Sequence, residues 1–264
     1  MNVLWKKIEQ SSLQTWPALQ SQLINGWNIR LSDGYSKRSN SVSPLDYVET
    51  KMTLEEQIAY CEAQYHQAQL PVVFKMTSFV EPTILDQLLH ARNYQIQDET
   101  SVQLKSLNMI DQEYANYKSN QQQRLSEVTY IIEEQWSEAW IRQASTLGQW
   151  PDNVGQSIAK LMKVNPSLPK AYITLYQAGT PVACAIGIID SDYMGIYDVI
   201  TGAAYRRLGF ARTMLYHLMK WAKDKGASYT YLHVGEHNEV AIQLYRHLGF
   251  EEIYRYWYRV LLEK

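Results

Sequence analysis

Cysteine is nearly missing from this chain: two occur among 264 residues, Cys61 and Cys184, the second inside an apolar run. Two thiols so placed specify no disulfide framework, and a reducing, cytoplasmic setting fits them. Long apolar runs are missing too. The longest, Val182 to Ile189, is far short of a membrane span, and no apolar stretch follows the charged start Met1 to Lys7, so a soluble protein with no membrane partner is expected. Excess positive charge is also lacking. Lys and Arg number 25 against 27 Asp and Glu, for a formal net charge of −2, and neither half is strongly basic, which argues against nucleic acid as a partner. Two phosphate-binding strings are absent as well, Gly-x-x-x-x-Gly-Lys-Ser/Thr and a Gly-x-Gly-x-x-Gly after the first strand of a parallel unit, and with them go the P-loop and dinucleotide readings.

The chain does have the composition of a globular protein, 46% hydrophobic and 20% charged, enough for one large domain or two of about 130 residues. The weakest pattern, polar and without a sustained apolar face, lies between Asn108 and Ser126, and it divides the chain into residues 1–110, a linker at 111–125, and residues 126–264. In the first part, a helix is expected over Leu13 to Ile24 and a hairpin from Gly26 to Leu31 and Lys37 to Val42, joined by Ser32 to Tyr35. A helix over Leu54 to Gln69, a strand over Pro71 to Met76, a helix over Pro82 to Ala91 and extended chain over Tyr94 to Leu107 follow. The second part reads as strand, two helices, a three-strand meander, helix, strand, helix and a long aromatic strand or strand pair. The fold class is thus mixed, α+β. The firmest element begins at Arg207, where Leu208, Ala211, Leu215, Leu218 and Ala222 recur at three and four residues, and it ends at Gly226.

That helix opens on Tyr205-Arg206-Arg207-Leu208-Gly209-Phe210-Ala211-Arg212, directly after a strand. Small residues at 209 and 211 leave the unpaired N–H groups of a first helical turn free to face an anion such as a diphosphate, with Arg206, Arg207 and Arg212 as cations at the rim. The plain alternative is a tight helix start with solvated arginines. A second string, Asn238-x-x-Ala241-x-x-Leu244-Tyr245-x-x-x-Gly249-Phe250, stands at the next strand-to-helix junction.

Together, Arg206-x-x-Gly209-x-Ala211 and the Asn238 to Phe250 string resemble the acetyl-CoA signature of the GNAT N-acetyltransferase superfamily, over Glu127 to Lys264. The resemblance implies a twisted, mostly antiparallel sheet flanked by helices, acetyl-CoA as co-substrate, no metal, and an amine as acceptor, be it a small amine, an amino acid, an antibiotic or a protein lysine; the near-neutral charge prefers a small molecule. It implies that Tyr193 to Thr201 splays from Ser228 to Val234, that Val199, Ile200 and Thr201 face the cofactor, and that Arg206, Arg207, Leu208, Gly209, Phe210, Ala211 and Arg212 hold its diphosphate. Asn238 would bond the pantetheine arm and cap the short helix, and Tyr245 would protonate the leaving thiolate. A phenol suits that task, being a donor at neutral pH; the alternative is a core tyrosine packed with Leu244 and Leu248. The chain departs from the family pattern at Thr201-Gly202-Ala203-Ala204, where valine and proline are frequent, and at Arg207, where glycine is common.

Asp198, an acid inside an apolar strand, is the first candidate for general base, since a carboxylate there needs a partner or a raised pKa; a structural hydrogen bond is the alternative. Glu236 is the second. Neither cysteine is placed for an acyl-enzyme, so direct attack on the thioester is expected. The first part resembles a second, degenerate GNAT domain without the cofactor motif, and its Lys37, Arg38 and Asn40 either shape an acceptor pocket or solvate a hairpin. Two rival readings stand: a non-catalytic acyl-CoA-binding or protein-interaction module, and, more remotely, a zinc peptidase through His233, Glu236 and His237. The latter needs its ligands on one helix face, whereas the segment reads as a strand broken by Gly235.

Overall fold

A computed structural model describes residues 2–120 and 127–262. The chain forms two compact units, one of Met1–Val102, Val234–Glu239 and Glu252–Lys264, the other of Gln103–His233 and Val240–Glu251. These differ from the contiguous pair expected, because the C-terminal strand closes the sheet of the first unit. The expected linker at 111–125 is a second correction: Ile110–Asn120 is a helix with Ile110 and Tyr117 buried, and residues 121–125 lie outside the described residues.

The first unit begins with α1 (Asn2–Thr15), β1 (Gln20–Ile24) and β2 (Trp27–Leu31). The helix expected at 13–24 is therefore displaced. Pro17 ends α1, since the residue before a proline avoids the helical region, and the following residues form an edge strand. The hairpin also shifts: β1 pairs with β2 across Asn25–Gly26, both with positive φ, 45° and 86°, the requirement of a tight two-residue turn. Next come β3 (Val42–Pro44), α2 (Leu54–Gln67), β4 (Val73–Thr77), α3 (Leu85–Ala91) and β5 (Gln95–Ser106). A capping box starts α2, with Thr53 Oγ1 accepting from Glu56 N–H and Glu56 accepting from Thr53 N–H.

In the second unit the order is α4 (Ile110–Asn120), β6 (Val128–Glu133), α5 (Glu138–Gly148), α6 (Asp152–Met162), β7 (Lys170–Gln177), β8 (Thr180–Asp190), β9 (Tyr193–Thr201), α7 (Phe210–Asp224), β10 (Tyr229–Gly235) and α8 (Glu239–His247). The chain ends in β11 (Glu251–Val260), a single strand. Strands of the first unit are ordered β1-β2-β3-β4-β11-β5, and those of the second β10-β9-β8-β7-β6. Alternation along β7 and β8 assigns the faces of the second sheet. Tyr172 and Thr174 meet Trp140 and Gln143 of α5. Gly187, one residue out of phase with their partners Ile186 and Cys184, lies under Leu218 of α7. Helices α5 and α7 therefore cover opposite faces.

One face of the first sheet carries an apolar core of Trp27, Ile29, Val42, Phe74 and Met76 closed by Ile58, Cys61 and Tyr65 of α2. The out-of-phase residue of β4, Lys75, is 3% exposed; its ammonium pairs with Glu9 of α1 and stands 4.2 Å above the Tyr256 ring. Tyr254 donates a 2.6 Å hydrogen bond to the same carboxylate. Burying two ions is costly, and removing one strands the other. Lys75→Met should therefore lower the unfolding free energy by about 3–5 kcal/mol, while Glu9→Leu combined with Lys75→Met should recover much of that loss in a denaturant titration. A double variant as unstable as Lys75→Met would refute this account.

Candidate active site

Two features of β9 build the site. Its parallel register with β10 runs from Tyr193↔Tyr229 to Ile196↔Leu232, and β9 then continues to Thr201. Against β8, Tyr197 pairs with Ile186 and Ile200 with Cys184, with a register shift between, so Asp198 and Val199 stand opposite the single residue Ala185. Asp198 takes φ 48°. This is a β-bulge, which bends a strand and re-aims the residues beyond it. Val199, Ile200 and Thr201 follow, half-buried.

After Thr201 the chain makes a 3-10 turn, Ala203–Tyr205, and enters α7 through Arg206 to Gly209. Arg206, Arg207, Leu208 and Gly209 are exposed, whereas Phe210 is buried. Arg207 and Gly209 both have left-handed backbone, φ 65° and 89°. The first position explains why a glycine there would be easy, and the second needs one. Gly209 O accepts from Thr213 N–H at 3.0 Å and from the Thr213 hydroxyl at 3.2 Å, which leaves the N–H groups of the first turn of α7 aimed off the helix end.

Of the three expected rim cations, Arg206 and Arg207 are exposed, but Arg212 is not at the rim. Its guanidinium packs over the rings of Tyr117, at 4.9 Å, and Tyr216, at 5.8 Å, beside a cavity of about 320 Å³. Tyr117 belongs to α4 and bonds the Thr213 hydroxyl at 2.8 Å. Sequence reasoning missed this helix because its outward residues are polar; the signal it carried was Ile110, Tyr114 and Tyr117 at spacings of four and three.

Asp198 lies close enough to Cys184 that its charge adds to burial in raising the thiol pKa well above the usual range, so Cys184 stays protonated. Tyr245 of α8 is 7% exposed and meets Phe250 edge-on at 5.8 Å. Gly249 ends α8 with φ 81°, and the bonds Phe250 N–H to Tyr245 O and Gly249 N–H to Arg246 O form a Schellman closure. Asn238 immediately precedes α8 and donates from its main chain to Gly235 O at 2.9 Å. The second base candidate, Glu236, is engaged by Arg255. In the N-terminal loop, Asn40 accepts from Ser32 N–H and donates to Ser36 O, Lys37 pairs with Asp98 at 2.6 Å, and Arg38 stacks on Trp16. Asn40 thus holds the loop's own backbone. His233 lies on β10 with Glu236 and His237 in the turn beyond, off the single helix face that the zinc string requires. Among the described residues no group of three or more His, Cys, Asp or Glu could hold a metal ion, and no helix is long and apolar enough to cross a membrane.

On the flank of α7, His217 stacks on Tyr130 at 3.7 Å and meets Tyr114 edge-on. Burial first, then the charges of Lys118 and Lys220, hold its pKa down to about 4 from 6.5. The unfolded chain therefore binds this proton before the folded one does, and the stability it contributes is full above 6.5 and lost as pH falls towards 4.

The family model described as "Probable histone acetyltransferase Rv0428c C-terminal" matches residues 5–259. The chain is 27% identical over 256 residues to the "Uncharacterized N-acetyltransferase YobR" of Bacillus subtilis (strain 168), covering 97% of this chain and 98% of that protein. Among solved structures, a GCN5-related N-acetyltransferase from Kribbella flavida superposes with a TM-score of 0.70 at 15% identity, covering 98% of this chain and 96% of that one. A tandem GNAT protein from the clavulanic acid biosynthesis pathway gives a TM-score of 0.60 at 10% identity, over 85% of this chain and 76% of that one. Both structural likenesses concern the fold.

Two outcomes test the geometry itself. A Cβ built on Gly209 meets nothing closer than 3.9 Å, so Gly209→Ala should cost about 1–2 kcal/mol through backbone strain alone; a loss under a few tenths in chemical denaturation would contradict it. Thermal melting of His217→Gln should vary less with pH between 6.5 and 4 than that of the native chain, and parallel curves would remove His217 from the acid response.

Proposed function

The chain belongs to the GNAT N-acetyltransferases, within the family whose model spans nearly its whole length, and from that premise we propose that it moves an acetyl group from acetyl-CoA to a primary amine by direct attack in a ternary complex. The observation that carries the reading is the departure of β9 from β10 after Ile196, beside a helix start whose first-turn N–H groups lie behind a left-handed Gly209. The fit to acetyl-CoA is favourable on two counts. A pantetheine arm needs an unpaired strand edge, and a diphosphate needs converging N–H donors with no side chain across them. Space around Gly209 is open.

When bound, acetyl-CoA would supply an activated acetyl thioester. Residues Leu208 to Ala211 would bind its diphosphate through main-chain N–H groups, with Arg206 and Arg207 adding charge. Arg212 would contribute from the flank, with its guanidinium already fixed on two tyrosine rings. Val199, Ile200 and Thr201 would line the arm, and a main-chain N–H at Val199 or Ile200 would stabilise negative charge developing on the carbonyl oxygen. Asn238 would bond the arm at the head of α8. Tyr245 would deliver its hydroxyl proton to the departing sulfur. Asp198, at the bulge, is the preferred acceptor of the ammonium proton, directly or through water. Glu236 is disfavoured because Arg255 already neutralises it.

The two thiols support a sequential route. Burial pushes Cys61 up to about 12 and Cys184 higher still, so neither is a thiolate near neutral pH. The near-neutral charge of −2 favours a small amine over a strongly charged protein surface. The family description names a histone acetyltransferase, which makes a lysine peptide the necessary comparison. The buried setting of Tyr245 also favours, as a second reading, an acyl-CoA-binding module without turnover.

Released CoA should appear on incubation with acetyl-CoA and a panel of small amines and lysine peptides. Tyr245→Phe should lower kcat about 10²-fold while acetyl-CoA affinity measured by calorimetry stays within twofold. Binding without CoA release from any acceptor would favour the non-catalytic module, and an unchanged rate in Tyr245→Phe would remove that residue from the mechanism.

A further inference from the structure

At the opposite end of the second unit, β7 begins with Lys170, whose partner across the sheet, Ile188, pairs with Gly195 of β9. Thr201 lies six residues further along β9, about 20 Å away at the rise of a strand, so this corner is separate from the proposed acetyl-transfer site. Here the turn between β6 and α5, the end of α6, the α6–β7 loop and the start of β7 enclose a cavity of about 340 Å³. Trp136 and Tyr172 stand in its wall edge to face, 5.6 Å apart, with Met162 and Leu168 completing an apolar lining.

Lys170 lines the same cavity and is 8% exposed. Its ammonium donates to the main-chain oxygens of Asn165 and Leu168, the latter at 3.3 Å, and no carboxylate among the described residues pairs with it. Glu134, the acid in the lining, is already held by Lys225 at 2.7 Å and by the Trp221 indole at 2.9 Å. Lys163 is the second cation of the lining. An ammonium has three donors, and a buried one needs opposing charge as well as hydrogen bonds. Burial alone depresses the Lys170 pKa, the direction expected where that charge is missing.

We propose that this cavity is a second ligand site, taking a small organic carboxylate with an aromatic or apolar body, its carboxylate paired with Lys170 and its body against Trp136 and Tyr172. The volume lies in the range of small-molecule sites, and the chemistry is complementary at both ends: a cation short of an anion, and an aromatic wall. The inference rests on the geometry of this unit and is independent of the acetyl-transfer reading.

Phenylacetate and its neutral isostere phenylacetamide, titrated into the full-length chain by calorimetry, test it. Phenylacetate should bind saturably and the amide at least about tenfold more weakly, the scale of one charge-assisted hydrogen bond. Bound phenylacetate should also slow reductive methylation of Lys170, read by peptide mass spectrometry, without slowing that of exposed Lys51. Lys170→Met should reduce phenylacetate affinity by a similar factor; should that variant not fold, the acid-to-amide comparison and the protection of Lys170 in the native chain decide alone. Equal affinity for acid and amide, an unprotected Lys170, or no saturable binding would each overturn the proposal.

Discussion

The second unit depends on one constraint: β9 must pair with β10 at its start and abandon it halfway. Two tyrosines sit at the turning point. The hydroxyls of Tyr197 and Tyr231 are 3.2 Å apart and both lie over Gly195, where an added Cβ would come within 2.6 Å of one and 2.8 Å of the other. Only a glycine admits both rings. One residue beyond Tyr197, the backbone of Asp198 turns left-handed and the β8 register slips. A strand held on one side by β8 and bent by a bulge cannot keep a straight ladder on its other side. The edge so released is the one on which the proposed pairing with a pantetheine arm depends, and only eight residues separate Thr201 from the start of α7.

Much of this was legible in the sequence because the second half is locally consistent. The β7–β8–β9 meander, the stripe of α7 and the two junction strings each follow from period, turn chemistry and small residues at the right places. The bulge was not legible, although the acid in the strand marked its position: a left-handed aspartate has no periodic signature. The first half was less readable. The Asn25–Gly26 turn was outweighed by Ser32–Gly34, and α1 was lost because it buries Glu9, Ser11, Ser12 and Thr15, so its inward face is polar and its period in apolar residues is faint. Helix α4 was hidden by its polar outward residues, with only Ile110 and Tyr117 buried, and its tyrosines are what turn Arg212 from a rim cation into a packed one.

That last change alters how charge is distributed at the head of α7. Arg206 and Arg207 sit on exposed loop backbone, where water screens them and their side chains pay entropy to take up one geometry. Arg212 has already surrendered that freedom against Tyr117 and Tyr216, and the Tyr117 hydroxyl is tied through Thr213 to the carbonyl of Gly209. The helix start, its arginine and α4 are therefore one connected assembly.

The buried cations of the chain give a final comparison. Lys75 has Glu9, Lys105 has Glu113 at 2.8 Å, and Arg259 has Asp86 at 2.7 Å; each carries its counter-ion within the protein. Arg30 also donates to the main-chain oxygens of Leu13, Trp16 and Arg38, contacts that suit a guanidinium, which spreads its charge over five donors and does not deprotonate. Lys170 donates to carbonyls too, but it has a compact, strongly hydrated charge that carbonyl dipoles balance poorly. It also lines a cavity. Of the two ways to settle such a group, shedding its proton or receiving an anion, only the second uses the aromatic wall beside it, and this links the chemistry of Lys170 to the shape of the cavity.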